Sequence, residues 1–275
     1  MTWALGVFFS LAIGTGDYFG LHLSRRLQAF TVVMTYMLIG ALTSAALMLV
    51  VSSELLAADL AFGAASGVFA AAALVLLYHG MAVSSPVVAS PTAAVVTAVI
   101  PVVWGLATGE QLVALVVIGM VVALLGLVAT TLSPDLGDHV VAALGWGIAA
   151  GTCFGVGFVF LGEVSPESGM WAGVAQRLSA FLVLGAIATA RGIPRFVDRE
   201  NLGRGVAGGI LTGAGVAAFV YGAQRGSLSE ITVTASMFPA VTVVLVAVVD
   251  RVRLWWWQIA GLVGVVSGVV LIGIG

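Results

Sequence analysis

The chain consists of long apolar runs separated by short polar segments. Each run holds about 20 residues without the strict alternation of a membrane β-strand, so each predicts a helix that can cross a hydrocarbon core of roughly 30 Å. Five runs lie in the first half, at Trp3–Leu21, Phe30–Val51, Leu60–Val83, Pro86–Thr108 and Leu112–Leu132. Five lie in the second half, at Val140–Leu161, Met170–Ala190, Val206–Ala223, Ile231–Val249 and Leu254–Ile274. The pattern predicts an all-α integral membrane protein with ten transmembrane helices.

The order of residues in one half returns in the other. The first half has, in order, Tyr78, a group of prolines, Glu110, Gly119 and Gly126. The second half has Tyr221, Pro239, Asp250, Gly261 and Gly268. Because each half holds five spans, an odd number, the second copy must lie upside down relative to the first. The sequence therefore predicts two inverted five-helix repeats, residues 1–132 and 140–275, an arrangement typical of secondary transporters that bind substrate between the repeats.

Composition agrees with this prediction and excludes several functions. Hydrophobic residues make up 61% of the chain and charged residues 8%, whereas soluble domains are about 25% charged. The connections are too short to fold as domains, so activity must reside within the membrane. The single cysteine, Cys153, excludes an internal disulfide and a cysteine metal cluster. The first span lacks the features of a cleaved signal peptide, and we expect it to be retained.

The charged residues are unevenly placed. All ten basic residues are arginines. Eight fall in odd-numbered connections, namely Arg25, Arg26, Arg191, Arg195, Arg199, Arg204, Arg251 and Arg253. Only Arg225 falls in an even-numbered connection, and Arg177 lies inside a span. The positive-inside rule then predicts odd connections in the cytoplasm and both termini outside.

Glycines and prolines mark how the helices pack. Glycines recur every four residues at Gly147, Gly151 and Gly155 and at Gly205, Gly209 and Gly213. Each set lies on one helix face, which favours close packing within one bundle, with a dimer face or sliding surface as the alternative. The fourth span contains Pro86, Pro91 and Pro101, and the equivalent ninth span contains Pro239. Because interrupted helices at equivalent positions point to a binding site, we expect the cavity there, with a structural kink that contacts no ligand as the alternative for any single proline.

Two charged residues inside spans are the strongest site candidates. Asp17 lies well inside the first span, and Arg177 lies in the seventh, beside Gln176. Burying either charge is costly, so each requires a partner or a ligand. If both face the cavity, the pair suits a zwitterion such as an amino acid. The alternative is that Asp17 pairs with an arginine or helix end and that Arg177 pairs with a carboxylate.

Aromatic and titratable side chains complete the candidate site. Tyr18 lies beside Asp17, and His79 lies beside Tyr78, whose counterpart is Tyr221. Four aromatic residues could line an aromatic cavity, although each is individually more typical of packing: Tyr36, Trp104, Phe154 and Tyr221. Asp17 and His79 are the candidates for proton coupling because they can titrate inside the spans. We expect Glu110 and Asp250 to lie at the interface and to cap the helices that follow them.

Several of these segments resemble one family. The two five-helix halves, the prolines of the fourth and ninth helices and the Gly109-Glu110-Gln111-Leu112 segment resemble EamA-type members of the drug/metabolite transporter superfamily. The segments Gly14-Thr15-Gly16-Asp17-Tyr18-Phe19-Gly20, Ser24-Arg25-Arg26 and Ala175-Gln176-Arg177-Leu178 are similar to bacterial members. The resemblance implies a ten-helix bundle with a central cavity that moves metabolites, amino acids or drugs, commonly outward. It also implies cytoplasmic termini, in conflict with the arginine pattern.

The function predicted from the sequence is secondary transport of small metabolites. We expect an inner-membrane exporter of amino acids or similar polar or zwitterionic compounds, working by alternating access. A lipid carrier or flippase of the same fold and an exporter of cationic drugs are the alternatives. An enzyme is not expected, because the three histidines lack metal-ligand spacing. We also expect no cofactor, no metal and no nucleic-acid partner, and a monomer or homodimer in contact with membrane lipids.

Overall fold

The computed structural model describes residues 2–132 and 139–275, and these residues form helices without a strand. The first half contains α1 (Thr2–Ser24), α2 (Ala29–Leu47), α3 (Ala57–Val83), α4 (Pro86–Ala107) and α5 (Ala114–Thr131). The second half contains α6 (Val140–Gly162), α7 (Trp171–Ala190), α8 (Leu202–Ala223), α9 (Leu228–Ala235), α10 (Phe238–Val249) and α11 (Trp256–Ile274). With α9 and α10 counted together, ten spans are long and apolar enough to cross a membrane. The predicted all-α membrane fold is confirmed.

Some helix ends differ from the predicted ones. Helix α1 continues to Ser24 and α3 begins at Ala57, because polar residues near the membrane surface extend a helix beyond its apolar run. Helix α2 stops at Leu47, before the predicted Val51. The extension of α1 matters most, since it adds a further helical turn after the predicted end at Leu21.

The ninth span is two helices, where the sequence predicted one helix over Ile231–Val249. The chain leaves helical geometry at Ser236 and Met237, and Pro239 lies in the first turn of α10. Proline has no N–H to donate to the carbonyl of Ala235, four residues earlier. The Ser10 hydroxyl of α1 donates to the Ala235 carbonyl at 2.8 Å and to the Thr234 carbonyl at 2.6 Å. A neighbouring helix thus satisfies the backbone groups that the break exposes, as lipid-embedded structure requires.

The two halves interleave. Helix α3 packs on α6 and α7, while its repeat equivalent α8 packs on α1 and α2. Helix α4 packs on α6, and its equivalents α9 and α10 pack on α1. Helices α2 and α7 pack on each other, as do α5 and α11. Exchanging each helix for its equivalent reproduces the same set of pairs, so the repeats are related by an approximate two-fold axis.

The bundle has two chemically different ends. The end that carries the odd-numbered connections, here called the arginine end, exposes all eight arginines of those connections. The opposite end, here called the terminus end, carries Thr2 and Gly275, because an even number of spans returns the chain to its starting side. Among the described residues, Arg225 is the one arginine at the terminus end, and six aspartate and glutamate side chains lie there. The charge asymmetry of the sequence is therefore an asymmetry of two surfaces.

Glycine faces bring the paired helices close together. A Cβ at Gly126 of α5 would lie 2.7 Å from the Gly261 carbonyl of α11, and one at Gly268 would lie 2.6 Å from the Gly119 carbonyl. On α8, a Cβ at Gly213 would lie 2.7 Å from the Gly40 Cα of α2. Real Cβ atoms do not approach so closely. The predicted close packing of the glycine faces within one bundle is confirmed.

Two glycines of α6 provide a direct test of this packing. Gly147 faces α4, where a Cβ would lie 2.6 Å from the Ala89 carbonyl, whereas Gly145 is exposed with nothing within 4 Å. We expect Gly147→Ala to lower the free energy of unfolding by about 1–3 kcal/mol, because overpacking forces the backbones apart. Gly145→Ala should be neutral or stabilising by roughly 0.5–1 kcal/mol. Thermal unfolding of both variants in detergent is the measurement, and equal effects would contradict the packing.

Candidate substrate-binding site

A cavity of about 300 Å³ lies between α1, α4, α5, α10 and α11. Its lining residues are Asp17, Ser90, Pro91, Thr130, Thr131, Phe238, Pro239, Thr242, Val243 and Gln258. Gln258 is near the start of α11 and Thr131 is the last residue of α5, so the cavity lies nearer the arginine end. Both repeats contribute to it, as expected for a substrate site between inverted repeats.

The carboxylate of Asp17 is the one charged group on this lining. It lies about two-thirds of the way along α1 and is half-buried. Within residues 2–132 and 139–275 it forms no salt bridge and no side-chain hydrogen bond. A carboxylate away from bulk water without a partner is costly, and a cation or a proton supplied from outside removes that cost.

The other polar groups of the lining also favour a hydrogen-bond donor as ligand. The hydroxyl of Thr130 donates to the Gly126 carbonyl at 2.8 Å, and that of Thr131 donates to the Leu127 carbonyl at 2.9 Å. The Thr242 hydroxyl donates to the Gly14 carbonyl at 3.1 Å. Because each proton is committed to the backbone, each oxygen presents lone pairs. The cavity is therefore rich in acceptors, which suits an ammonium group.

Prolines from the equivalent fourth and ninth spans both line this cavity. Pro91 lies inside α4, and Pro239 lies at the start of α10, where the ninth span is broken. Both line the cavity with Asp17. Two separate sequence features, the prolines of the fourth and ninth spans and the acidic residue inside the first span, therefore point to the same cavity.

Arg177 does not line the cavity. Its side chain is 3% exposed, and its Nη2 donates to the Thr212 carbonyl of α8 at 2.5 Å. Its Nη1 lies 3.5 Å from the Met37 sulfur, and its Nε has no partner among the described residues. Among the described residues, Arg177 and Asp17 make no salt bridge with each other. The guanidinium is fixed at the junction of α2, α7 and α8, one helix layer from the cavity.

Tyr36 connects these two regions. Its hydroxyl donates to the Gly16 carbonyl at 3.0 Å, one residue before Asp17. Gly208 of α8 leaves room for the ring, since a Cβ there would overlap it. Tyr36 is buried and holds α2 against α1. It supports the position of Asp17 without lining the cavity.

The remaining predicted residues are dispersed. Tyr78 packs against the core between α2, α3 and α7, and Gln176 is buried with its Oε1 unpartnered among the described residues. His79 is exposed, with its ring edge against Trp146 at 4.9 Å between centroids. Phe154 is half-buried on α6. None of these four side chains belongs to the lining of the Asp17 cavity.

Trp104 and Tyr221 belong to the terminus end. A second cavity of about 470 Å³ lies there, lined by Trp104 and by the carboxylates Glu110, Glu163 and Glu230. Tyr221 lies outside it, with the Arg225 guanidinium 3.9 Å above its ring. Of the aromatic residues predicted to line one cavity, Trp104 is the one found in the lining of either described cavity.

The expected capping roles of Glu110 and Asp250 are wrong. Glu110 accepts a hydrogen bond from the Ser229 hydroxyl at 2.6 Å, so it lies at the start of α9 and not of α5. Asp250 follows the end of α10 and accepts from the Tyr18 hydroxyl at 2.8 Å. The helices that follow these acids begin several residues later, out of reach of either side chain. Tyr18 consequently points to Asp250 as its partner.

Sequence reasoning identified Asp17 and the two prolines but missed most of the lining. Ser90 precedes Pro91, and Thr242 follows Pro239 by three residues, so the proline signal could have suggested both. Thr130, Thr131 and Gln258 carry no local signal, because many membrane helices contain a hydroxyl or amide residue near their ends. Their role comes from the pairing of α5 with α11.

The described residues combine ten helices long and apolar enough to cross a membrane, pairing between the two repeats and a cavity lined by one acid. These features are typical of a multi-pass membrane transport protein. The model of the EamA-like transporter family matches residues 141–274. The match confirms the predicted family over residues 141–274 and indicates a small-molecule transporter of the drug/metabolite transporter superfamily.

Two further comparisons bear on the fold. A protein of known crystal structure superposes with a TM-score of 0.80 at 16% sequence identity, over 99% of this chain and 96% of its own. That similarity shows a common fold. No curated protein sequence matches the chain.

The partner-free state of Asp17 can be tested by chemical modification. We expect the apolar reagent N,N′-dicyclohexylcarbodiimide to modify Asp17, because the carboxyl is accessible from the cavity. Asp59, which is 4% exposed and accepts a hydrogen bond from Ser165, should stay unmodified. Peptide mass spectrometry locates the adducts, and Asp17→Asn is the control. Modification of exposed acids without modification of Asp17 would contradict this geometry.

Proposed function

We propose that the protein is a secondary transporter that exports small amine-bearing polar compounds, amino acids and similar zwitterions foremost. It works by alternating access in the inner or plasma membrane. The observation that carries this proposal is the Asp17 carboxylate, unpartnered among the described residues and surrounded by hydrogen-bond acceptors. An ammonium group supplies both the charge and the donors that this lining lacks.

The expected gain from the amine is substantial. A hydrogen bond to a charged group contributes roughly 1.5–3 kcal/mol, and about 1.4 kcal/mol is a factor of ten in affinity. A compound with an amine should therefore bind about ten to a hundred times more tightly than its neutral analogue. Asp17 is also our candidate for proton coupling, because a proton and an ammonium group would compete for the same carboxylate. His79, the other candidate, lies outside the cavity.

One observation favours a second substrate class. A zwitterion also has a carboxylate, and Arg177, the cation proposed to bind it, contacts Thr212 outside the cavity. The Gln258 amide of the lining donates to the Leu132 carbonyl at 3.2 Å. With no cation on the described lining, the cavity also suits organic cations that have no acid group. Export of cationic drugs is therefore the alternative, and a lipid carrier is a further outcome for the test.

The distribution of arginines supports an orientation. Eight exposed arginines lie at the arginine end and one at the terminus end. We propose that the arginine end faces the cytoplasm, contrary to what the family resemblance implies. The Asp17 cavity then lies nearer the cytoplasm, where an exporter takes up its substrate.

Substrate class is tested by transport into proteoliposomes. Labelled amino acids, organic cations, carboxylates without an amine and fluorescent lipids are compared in the wild type and in Asp17→Asn. We expect transport of amine compounds by the wild type and a loss of at least tenfold in Asp17→Asn, because the amide cannot neutralise an ammonium charge. Glu200→Gln, an exposed acid at the arginine end, is the matched control. Lipid movement alone, or equal transport by Asp17→Asn, would refute the proposal.

Orientation is tested separately by labelling in intact cells. In a Cys153→Ala background, Glu54→Cys and Arg26→Cys place exposed thiols at the terminus end and the arginine end. A membrane-impermeant maleimide should label position 54 and leave position 26 unlabelled until the cells are opened, because only the terminus end faces outward. The reverse pattern would establish cytoplasmic termini.

A further inference from the structure

A polar bridge joins α1 to α10 at the arginine end. The Tyr18 hydroxyl donates to one oxygen of Asp250 at 2.8 Å, and the His22 Nε2 lies 3.3 Å from the other. The His22 Nδ1 lies 3.0 Å from the Tyr18 carbonyl, which orients the ring. Asp250 ends α10, where the helix dipole disfavours a negative charge. Its carboxylate therefore depends on its partners from α1.

A second polar bridge joins α4 to α6 at the terminus end. The Trp104 indole N–H donates to Glu163 Oε1 at 2.7 Å. Glu163 ends α6 as Asp250 ends α10, so it also places a carboxylate at the unfavourable end of a helix dipole. Trp104 lies in the last turn of α4.

The two bridges are equivalent under the repeat. Helix α6 is the counterpart of α1, and α4 is the counterpart of the ninth span, to which α10 belongs. Each bridge joins the carboxyl ends of such a pair, one at each end of the bundle. The roles are exchanged, because the acid comes from α10 in one bridge and from α6 in the other. The two bridges thus share equivalent helix pairs and helix ends, while the residues and their exact positions differ.

Each bridge lies beside a cavity. Trp104 and Glu163 line the cavity of about 470 Å³ at the terminus end. Tyr18 directly follows Asp17, and Asp250 lies two helical turns beyond Thr242 and Val243, which line the Asp17 cavity. Separation of α1 from α10 would widen the Asp17 cavity toward the arginine end. Separation of α4 from α6 would widen the other cavity toward the terminus end.

We propose that the two bridges are the opposing gates of the transporter, Tyr18 and His22 with Asp250 at the arginine end and Trp104 with Glu163 at the terminus end. These residues are positioning residues that set which end of the bundle opens. The proposal rests on alternating access. It requires the two gates to bias the protein in opposite directions, a property that simple packing contacts would not have.

The test measures opening at each end without a substrate. In a Cys153→Ala background, spin labels at Ser24→Cys and Val252→Cys report on the arginine end, and labels at Ala107→Cys and Glu167→Cys report on the terminus end. All four positions are exposed. Pulsed electron paramagnetic resonance gives the distance distributions in lipid nanodiscs.

The expected shifts have opposite signs. Asp250→Ala should lengthen distances at the arginine end and narrow those at the terminus end, whereas Glu163→Ala should do the reverse. In the double variant Asp250→Ala and Glu163→Ala, the distance distributions at both ends should return toward those of the wild type. Glu200→Ala and Glu54→Ala, exposed acids at the two ends, should leave both distributions unchanged.

Two results would refute the proposal that the bridges act as opposing gates. One is that both single variants only lower the unfolding temperature without shifting either distance distribution. The other is that both shift the distributions in the same direction. Because no substrate is used, the outcome is independent of transport. If the distance distributions shift in opposite directions but amine compounds are not transported, the gates are supported and the proposed substrate class is rejected. If amine compounds are transported but the distributions do not shift in opposite directions, only the gates are rejected.

Discussion

The close approach of helices from opposite halves is the contact on which the rest of the structure depends. In lipid there is little hydrophobic gain from bringing two apolar helices together, so association relies on packing and on hydrogen bonds. Along α5 and α11, and along α4 and α6, glycine lets one backbone lie against the other. These contacts join helices of different repeats, and they bring residues distant in sequence to one cavity.

The broken ninth span shows how the bundle tolerates an irregular element. Pro239 prevents α9 from continuing into α10, and Ser10 of α1 takes up the carbonyls that lose their helical partners. The break lies beside the Asp17 cavity, where Phe238 and Pro239 form part of the wall. One serine on a neighbouring helix thus stabilises the interruption beside the Asp17 cavity.

A nearly symmetric scaffold carries asymmetric chemistry. Asp17 has Val156 at the matching position of the second repeat, so only one repeat supplies an acid to the cavity. The polar bridges likewise occupy equivalent places with different residues. In the proposed mechanism, the repeated pattern of helix pairs provides two alternative openings, and the residues that break the symmetry provide selectivity and unequal gates.

The sequence by itself determined the all-α membrane class, the number of spans, the inverted repeat and the glycine faces. These features follow from hydropathy and residue spacing, which are local properties of the sequence and can be determined without knowing the fold. The sequence also indicated Asp17 as a candidate site residue, because placing a carboxylate within an apolar span costs free energy regardless of how that span packs.

Only the tertiary structure decided which polar residues meet. Arg177 lies outside the cavity because α7 packs between α2 and α3, and Asp250 bonds to Tyr18, 232 residues earlier in the chain. Thr130, Thr242 and Gln258 join Asp17 through the pairing of helices from both repeats. Such contacts depend on helix rotation and register across the bundle, and hydropathy does not encode either one.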